Sequence, residues 1–195
     1  MANSSLYDAV YIASPTSCHA EQALLFINAG KHVLCEKPVC SNLQELDVVL
    51  AAASERGVVF MEALRHLHTP NFDIFKTELK QIQPIRQAQF NFCQYSSRYP
   101  AYLEGKQPNA FKPELSNGAL MDLGCYCVSA CVALLGAPSG VSYAPVMLDT
   151  GVDGSGSLVL SYPDKIATLV FSKQSHGFNS SQVQVPISLS HTHTL

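Results

Sequence analysis

Lys37 lies in the segment Glu36-Lys37-Pro38, directly after a short apolar run. A lysine beside a glutamate can donate hydrogen bonds to a ligand or exchange a proton with it. Pro38 favours an extended backbone at Lys37 and permits a cis peptide bond between the two residues. On this spacing alone, a surface ion pair at a turn is the favoured interpretation, and a role at a ligand site is the alternative.

Asp122 and Tyr126 form a second candidate pair, within the apolar segment 119–135. Residues four apart share one face of a helix, and Gly118 lies one turn earlier on that face. A buried carboxylate and a buried phenol need polar partners, and a tyrosine near a lysine can act as a proton shuttle. A structural role fits equally well, because Asp122 is close enough to Asn117 to cap the start of the helix.

Two other groups of residues carry weaker signals. The segment 65–68 contains two histidines in an H-x-H pattern without further obvious ligands, so we predict no metal site there. We interpret these residues as a linker near a cleft, where Arg65 could meet a substrate. The chain has 7 cysteines and no C-x-x-C pair, which is typical of reduced thiols in a cytoplasmic protein.

The first candidate residues follow the predicted elements of a parallel sheet. Three apolar runs predict buried strands and two segments between them predict helices: strands at 8–13, 31–35 and 58–61, helices at 19–29 and 41–57. Ser41 and Gln44 fit a capping box at the second helix. Alternating strands and helices with short loops indicate parallel strands with helical crossovers. Such sheets bind ligands beyond the carboxyl ends of their strands, which here carry Ser14-Pro15, Glu36-Lys37 and Glu62.

The pattern changes after about residue 65. Thr69-Pro70 predicts a helix start, and the alternation from Arg86 predicts a long strand with two unlike faces. An apolar helix up to Leu135 and three further strands follow, at 141–149, 156–162 and 166–173. We therefore predict an α/β fold: a partial Rossmann-type parallel sheet followed by an α+β domain with a mostly antiparallel sheet. The predicted divisions are residues 1–64, residues 65–178 and an irregular tail at 179–195.

Composition narrows the classes of function. The 195 residues are 47% hydrophobic, which suffices for one core and part of a second. The net charge of -3 and the lack of a basic run argue against nucleic acid or an anionic membrane as a partner. The segment 119–135 is short for a membrane span and contains Asp122, so we predict a buried helix. The start of the chain does not have the pattern of a signal peptide, and we expect a cytoplasmic protein.

In this order and separation, the candidate blocks resemble the Gfo/Idh/MocA oxidoreductase family. The blocks are residues 8–15 with His19, the segment Glu36-Lys37-Pro38, and the segment 118–126. The family's second motif, Asp-x-Gly-x-His or Asp-x-Gly-x-Tyr, is matched by Asp122, Gly124 and Tyr126. The tyrosine version resembles the branch that includes dihydrodiol dehydrogenase, xylose dehydrogenase and glucose–fructose oxidoreductase. The resemblance covers roughly residues 6–175.

The resemblance implies an NAD(P)-dependent oxidoreductase that transfers a hydride between nicotinamide and a hydroxyl of a sugar, polyol or diol. Lys37 would touch the substrate hydroxyl and the nicotinamide ribose, Tyr126 would exchange the hydroxyl proton, and Asp122 would orient the substrate or Tyr126. The residues implied to line the cofactor are Ser14, Pro15, His19, Glu36 and Lys37. Family members commonly pair through the C-terminal sheet, which implies a possible homodimer.

The sequence departs from the family pattern at both ends. Members open with a strand, G-x-G-x-x-G/A and a helix, whereas the dense glycines here, at 151–156, have the reverse spacing and predict a hairpin loop. We therefore expect a truncated chain without a pyrophosphate cradle, in which the choice between NAD and NADP is not encoded. The alternative hypothesis is a non-catalytic remnant that acts as a binding or dimerisation module through its C-terminal sheet.

Overall fold

The computed structural model describes residues 2–177 and 180–185, which form two β-sheets. The first sheet has three parallel strands in the order β1-β2-β3: β1 (Ala9–Ile12), β2 (His32–Cys35) and β3 (Phe60–Glu62). Helices α1 (His19–Asn28) and α2 (Leu43–Arg56) connect these strands. The alternation of strand and helix confirms the prediction for the first part of the chain.

The two faces of the first sheet differ. One face forms a core with α1 and α2, whose buried members include Ile12, Ala23, Ile27, Val33, Cys35 and Val49. The opposite face carries Tyr11, Leu34 and Met61, which are neighbours across the three strands. These side chains are 57%, 39% and 44% exposed, so this face presents an apolar row to a cavity described below.

The second sheet has five strands in the order β5-β6-β7-β4-β8. They are β4 (Gln87–Cys93), β5 (Gly140–Met147), β6 (Asp153–Ser161), β7 (Ile166–Ser172) and β8 (Gln182–Gln184). Within the described residues, β4 and β7 are the one parallel pair of this sheet, which confirms the mostly antiparallel prediction. The glycines at 151–156 belong to the β5–β6 hairpin, as predicted. In the predicted irregular tail, β8 instead pairs with β4, while residues 179 and 186–195 lie outside the described residues.

Three helices accompany the second sheet: α3 (Pro70–Leu79), α4 (Tyr99–Leu103) and α5 (Cys125–Leu135). Thr69 caps α3 through its side chain and Pro70 opens the first turn, as predicted. A π-helical turn, Leu120–Gly124, leads directly into α5. By length and composition alone, the helical stretch Pro113–Leu135 could cross a membrane. In this fold its π-helical turn and α5 pack on the core of the second sheet.

The predicted capping box at α2 is wrong by one residue. The N-cap is Asn42, whose side chain accepts a hydrogen bond from the Glu45 backbone N–H at 2.9 Å. The Glu45 carboxylate in turn accepts from the backbone N–H of Ser41 at 2.9 Å. Ser41 with Gln44 and Asn42 with Glu45 both have the spacing of a helix cap. The carboxylate of Glu45 is a stronger acceptor at a helix N-terminus than the amide of Gln44, which favours the second pair.

Candidate active site

The three strands of the parallel sheet end at one level. Ile12, Cys35 and Glu62 are neighbours in the strand register, so the residues that follow them meet at one edge of the sheet. This register brings the predicted site residues Ser14, Glu36 and Lys37 to that edge. The Lys37–Pro38 peptide bond is cis.

The buried side chain of His19 bridges the two loops that contain Ser14 and Pro38. Its Nδ1 lies 2.8 Å from the Pro38 carbonyl oxygen and its Nε2 lies 2.9 Å from the Ser14 carbonyl oxygen. Each ring nitrogen is thus within hydrogen-bonding distance of a carbonyl oxygen, so the ring bridges the two loops. The side chain is 1% exposed, and Ser14 is held further by donating from Oγ to Gln22 at 2.8 Å. His19 therefore shapes the predicted cofactor loops and presents no free ring nitrogen to a ligand.

Lys37 and Asp122 connect the two sheets. The Lys37 Nζ donates to the Asp122 carboxylate Oδ1 at 2.8 Å and to the Asp122 backbone carbonyl at 2.7 Å. The Lys37 side chain is 13% exposed, so the contact is largely shielded from water. Burial acts to lower the pKa of Lys37, but the hydrogen bond and charge of Asp122 outweigh it, and the pKa lies above its ordinary value. The structure thus excludes the interpretation of Lys37 as an exposed ion pair at a turn.

Lys173 occupies the other oxygen of the same carboxylate. Its Nζ lies 2.9 Å from Asp122 Oδ2 and donates to the Ala110 carbonyl oxygen at 3.0 Å. Burial acts to raise the pKa of Asp122, but Lys173 and Lys37 outweigh it and hold the pKa below its ordinary value. The carboxylate therefore stays ionised between two lysines.

Tyr126 lies beside this cluster, one helical turn after Asp122. The Lys37 Nζ is 4.8 Å from the centre of the Tyr126 ring. The rings of His66 and Phe92 contact the same tyrosine at centroid distances of 4.9 and 5.3 Å. The His66 Nε2 lies 2.9 Å from the Ser129 hydroxyl. Packing from two sides therefore sets the orientation of the Tyr126 ring, and the structure brings the candidate residues Lys37 and Tyr126 together.

A cavity of about 560 Å³ opens between Tyr126 and the apolar row of the first sheet. Its walls combine that row with polar groups at the strand ends; they include Tyr11, Leu34, Glu36, Met61, Glu62, Arg65 and Tyr126. The Tyr11 hydroxyl donates to the Glu36 carboxylate, which fixes both side chains at the rim. The size is typical of a small-molecule site.

A second, smaller cavity of about 240 Å³ is lined in part by Asp122. Its lining is mostly polar: Gln94, Tyr95, Ser96, Ser97, Asp122, Leu123 and Lys173. Hydroxyls, amides and charged groups of this kind can hydrogen-bond a ligand that carries several hydroxyls. Asp122 therefore lines the polar cavity, whereas Tyr126, four residues later, lines the apolar-walled one.

The start of the site helix is held by Asp153, and not by Asp122. Asp153 Oδ2 accepts from the backbone N–H of Leu120 at 2.6 Å and from the hydroxyl of Tyr143 at 2.7 Å. The alternative that Asp122 caps this helix is therefore wrong, because its carboxylate is bound by the two lysines. Asp153 comes from β6, so only the folding of the second sheet brings it to the helix.

The cysteines near the site are unsuited to nucleophilic chemistry. Burial raises the pKa of Cys125 to about 11 and that of Cys35 to about 12. Both thiols are therefore protonated at neutral pH, and all seven cysteines are free. Among the residues that the structure describes, no group of three or more His, Cys, Asp or Glu side chains could hold a metal ion.

The sequence did not predict Lys173 as a site residue, and it did not predict the contact of His66 with Tyr126. Lys173 follows a buried strand, and no sequence motif distinguishes it from a lysine in an exposed turn. Its only signal is that the preceding strand alternates in a way that points the next side chain inward. His66 was interpreted as part of a linker, because its contact with Tyr126 spans two elements.

The chain combines a parallel sheet with helical crossovers, an arrangement found in dinucleotide-binding folds, with a mostly antiparallel sheet, and a lysine–aspartate contact joins the two parts. Residues 1–64 match the family profile described as oxidoreductase family, NAD-binding Rossmann fold. Residues 80–188 match the profile described as GFO/IDH/MocA C-terminal domain. The chain belongs to the Gfo/Idh/MocA family, which confirms the resemblance seen in its motifs.

Among curated relatives, scyllo-inositol 2-dehydrogenase (NADP(+)) IolU of Bacillus subtilis is 49% identical over 184 residues, covering 94% of this chain and 56% of the relative. Trans-1,2-dihydrobenzene-1,2-diol dehydrogenase of Xenopus laevis is 32% identical over 160 residues, covering 81% of this chain and 47% of the relative. The chain spans about half the length of the curated relatives it matches.

A solved structure of levoglucosan dehydrogenase, in complex with NADH and levoglucosan, superposes with a TM-score of 0.83. The two sequences are 22% identical, and the match covers 94% of this chain and 53% of that chain. At this identity the likeness establishes the fold alone.

Proposed function

We propose that this chain carries the proton-handling site of an NAD(P)-dependent oxidoreductase that acts on a hydroxyl of a sugar, polyol or diol. The observation that carries the proposal is the meeting of Lys37, Asp122 and Tyr126 beside the two cavities. Lys37 comes from the parallel sheet and the other two residues come from the helix beside the second sheet. Family membership and the dehydrogenases among the relatives support the same class of reaction.

The proton is handled by Lys37 and Tyr126. In the direction of oxidation, Tyr126 acting as a phenolate takes the proton of the substrate hydroxyl and becomes a neutral phenol, while the hydride leaves the carbon; the Lys37 ammonium stabilises the negative charge on the oxygens nearby. Asp122 orients Lys37 through its carboxylate and its backbone carbonyl. In the direction of reduction the same groups return the proton to the carbonyl oxygen.

Nicotinamide supplies the hydride chemistry when bound. The residues that would hold its ring and ribose are Ser14, Pro15, Glu36 and Lys37 at the strand ends, with His19 fixing the loops from below. Tyr11, Leu34 and Met61 form an apolar wall that suits the flat ring. The sequence contains no G-x-G-x-x-G, so these residues fit the nicotinamide end of a dinucleotide and not its pyrophosphate.

The substrate's other hydroxyls fit the polar cavity beside Asp122. The relative with 49% identity is named as an NADP(+)-dependent scyllo-inositol dehydrogenase, which makes NADP and a cyclic polyol the first pair to test. The pattern of free cysteines is consistent with action in the cytoplasm.

The test has two stages on the 195-residue chain. Titration of NADPH and NADH, followed by cofactor fluorescence, should give saturable binding below millimolar cofactor; scyllo-inositol, D-xylose and a trans-dihydrodiol are then assayed for cofactor reduction. Lys37→Ala and Tyr126→Phe should each lower kcat by about 100-fold or more while the fold persists. Lys80→Ala and Tyr162→Phe, which remove the same chemical groups away from the site, should leave turnover unchanged.

Absence of binding at millimolar cofactor would refute catalysis by this chain and favour the hypothesis of a binding or dimerisation module. Full turnover in Tyr126→Phe would refute the assignment of the proton to Tyr126.

A further inference from the structure

Lys173 is one of the few charged residues buried in this fold, at 3% exposure. Its ammonium group touches Asp122 Oδ2, the Ala110 carbonyl oxygen and, at 5.1 Å from its centre, the Phe111 ring. Its backbone is fixed separately, because its N–H donates to Gly154 and its carbonyl oxygen accepts from Ser96, both at 2.8 Å. The ammonium group is therefore not needed to hold the chain in place.

The cluster of Lys37, Asp122 and Lys173 carries two positive charges and one negative charge. Each lysine uses a different oxygen of the carboxylate, at 2.8 and 2.9 Å, so both share one anion. Without Lys173, the charge of Asp122 would cancel that of Lys37. With Lys173, the cluster keeps one uncompensated positive charge beside Tyr126.

Other groups also act on Lys37 electrostatically: the carboxylate of Glu62 from β3, the phenol of Tyr126 and the thiol of Cys125 from α5. Glu62 is itself held by the backbone N–H of Val39, at 3.0 Å. Burial raises the pKa of Glu62. Lys173 binds the second oxygen of the Asp122 carboxylate directly, so it affects how much of the Asp122 charge acts on Lys37.

We propose that Lys173 is a positioning residue that holds the Asp122 carboxylate and takes up part of its charge, which leaves the Lys37 cation available to the reacting hydroxyl and to Tyr126. The catalytic consequence rests on the proposed oxidoreductase function. The electrostatic part concerns residues of this chain alone and can be measured without cofactor.

The direct test is competitive acetylation of lysines at about pH 9.5, read by peptide mass spectrometry and normalised to the exposed Lys80. In Lys173→Met, Asp122 acts on Lys37 alone and a neighbouring positive charge is lost, so the neutral amine of Lys37 should become rarer. We expect Lys37 to be labelled about tenfold more slowly than in the wild type. Lys173→Arg keeps the charge and should restore the wild-type rate.

Lys165→Met is the matched control, because Lys165 is also partly buried and ion-paired, at 2.6 Å from Asp164, but lies away from the site. This variant should leave the labelling of Lys37 unchanged. Unfolding of Lys173→Met would expose Lys37 and speed its labelling, which is the opposite direction. A folded Lys173→Met protein with unchanged or faster labelling of Lys37 would overturn the proposal.

Where turnover is found, Lys173→Met should lower kcat by about 10-fold to 100-fold at unchanged cofactor affinity, and Lys173→Arg should retain most of it. A wild-type chain without turnover counts against the proposed function, and the labelling experiment still decides the role of Lys173. Equal turnover of Lys173→Met and wild type would overturn the catalytic part of the proposal.

Discussion

At the scale of single residues, the site depends on one carboxylate that serves two lysines. Asp122 joins Lys37, which follows a strand of the first sheet, to Lys173, which follows a strand of the second. Removing a partner from such a cluster leaves a buried charge unbalanced, which costs more than the intact contact contributes. The cluster therefore affects stability as well as the proposed proton transfer.

The first prediction concerns Asp122→Asn. We expect the free energy of unfolding at neutral pH to fall by about 2 kcal/mol. Breaking a fully buried ion pair costs about 3–5 kcal/mol, and the loss is smaller here because the Asp122 side chain is 39% exposed. Urea unfolding followed by circular dichroism measures this loss. Asp47→Asn, at an exposed position of α2, is the control and should change the free energy little.

The same variant has a predicted pH dependence. Because the fold lowers the pKa of Asp122, its contribution is complete above the ordinary value of 3.8 and is lost as pH falls through the folded value. Because the fold raises the pKa of Lys37, its contribution is complete below 10.5 and is lost as pH rises through the folded value. The stability difference between wild type and variant should thus be flat near neutrality and shrink at both extremes; a difference that does not vary with pH would contradict this ion pairing.

At the scale of elements, the position of the site helix depends on its contact with β6. Asp153 binds the backbone N–H of Leu120, and Gly118 passes so close that an added Cβ would lie 2.1 Å from Asp153 Oδ1. Gly118 also has φ +148, in the region that favours glycine. The glycine that begins the motif therefore allows a close approach of helix and strand, and the position of Asp122 and Tyr126 depends on it.

Gly118→Ala should disturb this contact. We expect a loss of about 3 kcal/mol in the free energy of unfolding, because the added methyl group must displace the Asp153 carboxylate as well as strain the backbone. Gly105→Ala is the matched control: Gly105 has φ +80 but open space around its Cβ, and should cost only about 1 kcal/mol. Thermal and urea unfolding of both variants compare the two losses, and equal losses would show that the contact with Asp153 does not matter.

Sequence patterns predicted most elements because these depend on local periodicity. The parallel strands, the helix at Thr69-Pro70 and the hairpin at 151–156 all follow from apolar runs and turn residues. The patterns failed where two local solutions were equivalent, as at Ser41 and Asn42. They also failed for Lys173, because its partner Asp122 is distant in sequence and no local signal distinguishes it from a surface lysine.

At the scale of the whole molecule, the second sheet has an outer face that the helices leave open. Ser157, Val170 and Asn91 are neighbours across it, and their strand neighbours Leu158, Leu169 and Phe90 point into the core. The three outer side chains are uncharged and mostly small. A face of this composition suits the homodimer expected from the family resemblance.

Val170→Arg tests this homodimer. We expect light scattering to give the mass of a dimer for the wild type and that of a monomer for the variant, because a buried unpaired charge opposes association. Leu25→Arg is the control, since Leu25 is an exposed apolar residue of α1, at 58% exposure, and its replacement should leave the mass unchanged. A wild-type monomer, or a dimer that persists in Val170→Arg, would contradict pairing through this face.

The sequence by itself determined the fold class and the family, and it predicted the candidate residues Lys37, Asp122 and Tyr126, because strand periodicity and short motifs are local properties of the chain. Only the tertiary structure decided what those residues do to each other. It placed Lys37 on the Asp122 carboxylate across 85 positions of sequence, added Lys173 to the same carboxylate, and gave the cap of the helix to Asp153. The physical reason is that hydrogen bonds and charge interactions act over a few ångströms of space, whatever the separation along the chain.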